Sequence, residues 1–146
     1  MQNNPIIKIQ QQLEKYFDGL YFCDVDKLQD VFHSDATYIN ATDDPMLKLD
    51  MDTYFAIVEK RISPASQNQL RQDKVIAINL IHDQLAMVHV ECVIEAKYFY
   101  DALTLVQKQG EWKIISKVFH YQLLADQLSI FPKDNSIGKG ISHTQF

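Results

Sequence analysis

The spacing of apolar residues changes from helical to strand-like partway along the chain, near Leu70. Before that point, apolar side chains recur three and four residues apart, as they do along one face of a helix. Beyond it come four long segments rich in β-branched and aromatic residues, separated by short polar connections. This order, with the helices first and a run of neighbouring strands afterwards, predicts an α+β domain rather than one in which strands and helices alternate.

Three helices are predicted in the first half of the chain. Asn4 caps the first, Pro5 suits its first turn, and Gly19 is its expected end. Asp24 caps a second, shorter helix, which carries Phe32 inward near its end.

The third helix begins at Asp50 or Asp52 and ends before Ser63 and Pro64, because proline disfavours helical geometry in the residue that precedes it. A turn is expected before residues 46–49. The strands are expected at residues 36–40, 75–81, 85–97, 99–108 and 111–121.

Composition and charge narrow the class of function. The 146 residues carry 14 basic and 19 acidic side chains, and this net charge of −5 argues against a nucleic-acid partner. No signal peptide and no apolar run of about 20 residues is visible, so we expect a cytoplasmic protein with no membrane partner. Cys23 and Cys92 lack zinc-like or redox spacing and are expected to be reduced, buried side chains.

Several predicted strands are apolar on both faces. In the last strand, Trp112, Ile114 and Val118 alternate with Ile115 and Phe119. One face must cover the helices, so a second copy of the chain is expected to cover the other, forming a homodimer through the outer sheet face. The expected domain covers residues 1–131, and residues 132–146 form a tail that is flexible or contacts the dimer partner.

Two runs of sequence resemble nuclear transport factor 2-like domains. The first, YFDGLYFCDVDKLQDVFHSDATYIN at residues 16–40, resembles their opening helices and first strand. The second, YDALTLVQKQGEWKIISKVFH at residues 100–120, is similar to their final hairpin, especially in the lumazine-binding-like and polyketide cyclase-like branches. The resemblance implies a cone-shaped domain, in which three N-terminal helices pack on a curved, mostly antiparallel sheet (a cystatin-like roll) around a pocket.

The same resemblance extends to ketosteroid isomerase-like members, where a tyrosine and a carboxylic acid hydrogen-bond the developing enolate oxygen. Tyr16 and Asp101 fall at those two positions, and Asn40 falls where a second carboxylate moves the proton. Because an amide is not basic near neutral pH, the isomerase mechanism is not carried over as it stands. His33, beside the pocket mouth in the family pattern, is an alternative base, or else a partly exposed structural histidine.

Asp101 is the residue that most strongly indicates a pocket. It shares a predicted strand face with Phe99, and a carboxylate among apolar neighbours must be paired, neutral or solvated in a cavity. The alternative is an edge position where Asp101 points to water. Arg61 or Lys117 could pair with it or receive an anionic ligand, although an ordinary structural salt bridge is the other interpretation of each.

Aromatic side chains could line such a pocket and make it suited to a flat ring compound. Tyr16 is either a donor at the pocket floor or a core tyrosine. The remaining candidates, each of which could also be plain core, are Phe32, Tyr38, Tyr54 and Phe119.

Three functions follow from these residues. The first is a pocket that binds a small, flat, mostly apolar ring compound, with or without catalysis. The second is an isomerase, dehydratase or cyclase in which Asp101 or His33 moves a proton, and the third is a protein-interaction module. No metal or cofactor is predicted, because the histidines show neither an HxH pair nor the HExxH spacing, and no glycine-rich phosphate loop is present.

Overall fold

The structure, a computed structural model, describes residues 4–125. Two helices open the domain, α1 (Pro5–Phe22) and α2 (Val25–Val31). A third, α3 (Met51–Lys60), follows the first two strands and precedes a 3-10 turn at Ala65–Gln67. The strands are β1 (Phe32–Asn40), β2 (Leu47–Leu49), β3 (Gln72–His82), β4 (Leu85–Ile94), β5 (Lys97–Lys108) and β6 (Glu111–Leu123).

The six strands form one curved sheet in the order β2-β1-β6-β5-β4-β3. Only the β1–β6 pair is parallel among these strands, and the three helices pack against one face of the sheet. The predicted α+β architecture is therefore confirmed. No helix among residues 4–125 is long and apolar enough to cross a membrane, and the predicted tail at residues 132–146 lies outside the described part of the chain.

The predicted helix caps are present, but the first helix does not end at Gly19. The side chains of Asn4, Asp24 and Asp50 accept hydrogen bonds from the first turns of α1, α2 and α3. Helix α1 continues to Phe22. Gly19 is needed for packing, because a Cβ added there would lie 2.6 Å from Cδ2 of the fully buried Leu28 on α2.

Several strand boundaries also differ from the prediction. Phe32 is the first residue of β1 rather than part of the second helix, and residues 47–49 form the short strand β2. Lys97 begins β5, because Glu95 adopts a left-handed conformation, with φ of 58°, and turns the chain there.

Strand β6 contains a β-bulge that controls which side chains enter the core. Ile114 and Ser116 pair with successive residues of β5, so Ile115 has no partner. The extra residue reverses the alternation along the strand. Ile114 is buried before the bulge and Lys117 is buried after it.

The simple alternation predicted for this strand is wrong for the same reason. Trp112 and Phe119 were expected on opposite faces, but each is only 3% exposed and both belong to the core. Val118, opposite the exposed Ala102, faces the outer side of the sheet.

The close approach of α1 and α2 gives a stability prediction. Gly19→Val should lower the free energy of unfolding by about 3 kcal/mol, because the new methyl groups would overlap Leu28. Gln10→Val, at an exposed site of the same helix, should cost only about 0.5 kcal/mol. Urea denaturation followed by circular dichroism measures both, and equal losses would contradict this account of Gly19.

Candidate functional site

A cavity of about 320 Å³ lies on the helix-covered side of the sheet. Strands β1, β2, β4, β5 and β6 and helix α3 line it, and the end of α1 contributes Leu20. Small-molecule sites typically have volumes of about 300–1,000 Å³, so this cavity can hold a compact ligand of one or two rings.

Asp101 on β5 is the buried anion of the site. It is 1% exposed, and the hydroxyl of Tyr16, from α1, donates a hydrogen bond to its Oδ2 at 2.6 Å. The Nζ atom of Lys117, on β6, lies 4.0 Å from the same oxygen. A buried carboxylate is tolerated only when it is paired and hydrogen-bonded, and both conditions are met here.

Lys117 is surrounded by aromatic rings as well as by this carboxylate. Its Nζ atom lies between 5.2 and 5.8 Å from the ring centres of Tyr16, Tyr38, Tyr54 and Phe119. A cation over the face of a ring gains about 2 kcal/mol when it is removed from water. The ammonium is therefore held by ring faces as much as by its counter-ion.

The charge of Lys117 is favoured by its neighbours. Burial alone would lower its pKa, but attraction from Tyr54, once that group ionises at high pH, and from Asp101 raises the pKa above its ordinary value. Because the folded-state pKa is the higher one, the stabilisation is fully present below the ordinary lysine pKa. It is lost as the pH rises through the raised value.

Two polar atoms in this cluster are buried without a hydrogen-bond partner, namely the hydroxyl of Tyr54 and Oδ1 of Asp101. Both residues line the cavity. Burial raises the pKa of Tyr54, although Lys117 opposes the change, so its hydroxyl keeps its proton at neutral pH. Two residues that line the cavity thus carry one unused donor and one unused acceptor.

The formal charges of the residues that line the cavity cancel. Three acids and three bases line it, the inner pair being Asp101 and Lys117. The outer residues are Asp43, Arg61, Glu95 and Lys97. The lining therefore has no net formal charge, and it does not select strongly for an anion or a cation.

Asn40 shapes the loop at the cavity mouth. Its Oδ1 accepts from the backbone N–H groups of Thr42 and Asp43 at 3.0 and 3.3 Å, and its Nδ2 donates to the Asp43 carboxylate at 3.0 Å. The hydroxyl of Tyr121 donates to the same carboxylate at 2.9 Å, and this bond raises the pKa of Tyr121. The amide of Asn40 is thus engaged in holding Asp43 at the mouth.

Eight of the ten ligand-contact residues predicted from sequence line this one cavity. They are Tyr38, Asn40, Tyr54, Arg61, Phe99, Asp101, Lys117 and Phe119. Of the two bases predicted as partners of Asp101, Lys117 makes the ion pair, whereas Arg61 is exposed at the cavity mouth.

The other predicted residues do not line it. Tyr16 is fully buried behind Asp101, and Phe32 packs edge-on against Tyr16 and Tyr54 in the core. His33 is half-buried and its Nδ1 accepts from the backbone N–H of Asp35, so it does not share the cavity with Asp101.

Sequence reasoning missed several lining residues. Cys92 and Tyr121 could have been found from strand alternation, since they pair with each side of Phe99 on the inner face. Asp43 and Leu47 come from the loop after β1 and from β2, where only a turn was predicted, so no periodic signal pointed to them. Both cysteines are free thiols, Cys92 buried and Cys23 half-buried.

Within residues 4–125, no group of three or more His, Cys, Asp or Glu side chains is arranged to hold a metal ion.

Three helices on a curved six-stranded sheet, enclosing one polar and aromatic cavity, define a domain of the nuclear transport factor 2-like superfamily. A model of the family described as "Putative lumazine-binding" matches residues 4–120, and the chain belongs to that family.

Solved structures agree with this fold. A nuclear transport factor 2-like protein of unknown function from Silicibacter pomeroyi is 22% identical, with a TM-score of 0.71, and the match covers 80% of this chain and 95% of that one. A ketosteroid isomerase-like protein from Erwinia carotovora atroseptica is 10% identical, with a TM-score of 0.64, over 82% and 98% of the two chains.

A third structure, a Caulobacter vibrioides protein with a cystatin-like fold, is 13% identical, with a TM-score of 0.56, over 85% and 94% of the chains. A search among curated proteins finds no match. Identities this low establish the fold alone, so the function must be argued from the cavity.

The buried pair gives a prediction that separates charge compensation from packing. Lys117→Met should lower the free energy of unfolding by about 3–5 kcal/mol, because it leaves the Asp101 carboxylate buried without its counter-ion. Adding Asp101→Asn removes that charge while keeping an acceptor for Tyr16, and should restore most of the loss. A double-mutant cycle from urea unfolding measures this coupling, with exposed Lys108→Met as the control.

Proposed function

We propose that the protein is a small-molecule-binding domain whose cavity receives a flat, mostly apolar ring compound. The observation that carries the proposal is a pair of unpartnered polar atoms, the Tyr54 hydroxyl and Asp101 Oδ1, on two residues that line a cavity with aromatic walls. Buried polar atoms without partners are rare in folded proteins and each costs free energy, so a ligand that satisfies them is favoured.

The ring faces favour a flat compound. Tyr38 stacks on Tyr54 with ring centres 4.6 Å apart, and Phe99 lies 5.6 Å from Phe119. These rings line the cavity, and aromatic surfaces pack well against another planar ring. The description of the family as lumazine-binding supports a heterocycle of this shape.

Binding is a better proposal than ketosteroid isomerase-like catalysis. The position of the proton-moving carboxylate is occupied by Asn40, whose amide is already bonded to the loop that follows. Tyr16 donates to Asp101 rather than facing the cavity. The donors and the base of that reaction are therefore not offered to a ligand.

A thermal-shift screen of flat heterocycles and steroid-like compounds tests the proposal. At least one compound should raise the melting temperature of the wild type, and Ile57→Trp should abolish the shift because the indole enters the cavity from α3. Glu59→Trp, on an exposed site of α3 that does not line the cavity, should bind normally. The proposal fails if no compound stabilises the wild type more than Asp101→Leu.

We also propose that the protein is a homodimer through the outer sheet face. Ile81 and Met87, at the far end of the β3–β4 hairpin, are 49% and 50% exposed. Met87 faces outward, since its neighbours Ala86 and Val88 are buried against the helices. Exposed apolar side chains at one end of the sheet favour contact with a second copy over contact with water.

The double variant Ile81→Glu/Met87→Glu should convert a dimer into a monomer, because it places charges in the proposed contact. Light scattering after size-exclusion chromatography should give twice the 17.0 kDa chain mass for the wild type and a single chain mass for the variant. Ile7→Glu/Met46→Glu changes the same residue types at exposed sites elsewhere and should stay dimeric. A wild-type mass of one chain would refute the dimer.

A further inference from the structure

The opening of the cavity carries aliphatic side chains that the described part of the chain leaves uncovered. Leu47, Ile57 and Ile62 all line the cavity, yet they are between 40% and 64% exposed. Because they line the cavity and also face water, they form an apolar rim at its opening. Apolar side chains gathered in this way favour contact with another apolar group over contact with water.

The described chain ends beside this opening. The backbone N–H of Leu124 donates a hydrogen bond to the carbonyl of Ala96 at 2.8 Å, which holds the end of β6 to the turn between β4 and β5. Glu95 and Lys97, the two neighbours of Ala96 in sequence, both line the cavity. Residues 126–146 therefore continue the chain from a point next to the rim.

The first residues of this continuation have the composition that an apolar rim requires. Residues 126–131, with the sequence DQLSIF, contain Leu128, Ile130 and Phe131, and Pro132 and a mostly polar stretch follow. Six residues reach about 9 Å as a helix and about 20 Å when extended, which is enough to cross the opening of a cavity of about 320 Å³. The family model ends at residue 120, so this run lies outside the part of the chain that the family shares.

We propose that residues 126–131 dock on the apolar rim of their own chain and close the cavity, so that the segment must be displaced before a ligand enters. Burial of apolar side chains drives the docking, because the lining has no net formal charge and the segment contains one acid and no base. The inference adds a control of access to the binding site proposed above.

The short connection explains why the chain's own segment is favoured over other partners. A group tethered a few residues from its site has an effective concentration of roughly millimolar there. A second copy of the chain, or a separate protein, must reach a comparable concentration to compete for the same rim. Docking within one chain also needs no surface other than the one already described.

Cys23 reports on the opening without any ligand. It lines the cavity and is half-buried, whereas Cys92, which also lines the cavity, is buried. Labelling of the full chain with the disulfide reagent dithiobis(nitrobenzoic acid) should therefore show a phase from Cys23. Cys23→Ala identifies that phase by removing it.

Substitutions in the segment test the docking in the full chain. Ile130→Ser/Phe131→Ser should raise the labelling rate of Cys23 at least about tenfold, because the segment loses most of the apolar surface that holds it on the rim. The matched control is Ile141→Ser/Phe146→Ser, which changes the same residue types further along the chain. It should label at the wild-type rate.

Substitutions on the rim test where the segment docks. Ile57→Ser/Ile62→Ser should also raise the labelling rate of the wild type, and both positions are exposed, so the change removes little core packing. In the Ile130→Ser/Phe131→Ser variant, the same rim substitutions should have almost no further effect. A double-mutant cycle in the labelling rates measures this coupling.

Three results would overturn the inference. The first is equal labelling of the wild type and Ile130→Ser/Phe131→Ser, and the second is a rim effect of the same size in both backgrounds. The third is protection of Cys23 that disappears on dilution or in Ile81→Glu/Met87→Glu, since a second copy would then supply the cover. These measurements contain no ligand, so a negative result leaves the binding proposal standing, and a failed compound screen leaves the docking in place.

Discussion

The burial of one carboxylate constrains the rest of this molecule. Asp101 can lie inside only because Tyr16 and Lys117 reach it, and these three residues come from α1, β5 and β6. Removing a carboxylate and an ammonium from water costs several kcal/mol for each ion, which their attraction offsets only at close range. The first helix must therefore dock at one place on the final hairpin, 85 residues further along the chain.

The same pair explains why this end of the core is hollow and lined with rings. An ammonium that is 5% exposed loses most of its hydration, and aromatic faces replace part of it without adding charge. Aliphatic packing in the same place would leave Lys117 with a single partner at 4.0 Å. The aromatic walls are thus needed by the protein itself, and a planar ligand can use the surface that remains.

Sequence reasoning found the architecture and eight of the residues that line the cavity, where periodic patterns or the family resemblance pointed to them. Asp101 faces inward with Phe99 simply by alternation along β5. Lys117 was named, but its direction depends on the bulge at Ile115, which moves it to the face opposite the one that alternation from Trp112 gives. Asp43 was missed because it lies in a loop held by side-chain hydrogen bonds, and such contacts leave no periodic trace.

The partner of the Tyr16 hydroxyl separates this cavity from the ketosteroid isomerase-like arrangement considered in the sequence analysis. There, a tyrosine and a carboxylic acid both donate to the substrate oxygen. Here the Tyr16 hydroxyl donates a hydrogen bond to Asp101, and the Lys117 ammonium lies 4.0 Å from the same carboxylate. The Asp101 oxygen that accepts from Tyr16 also lies 4.0 Å from the Lys117 ammonium, so the tyrosine and the carboxyl group are engaged with each other and with a lysine inside the protein.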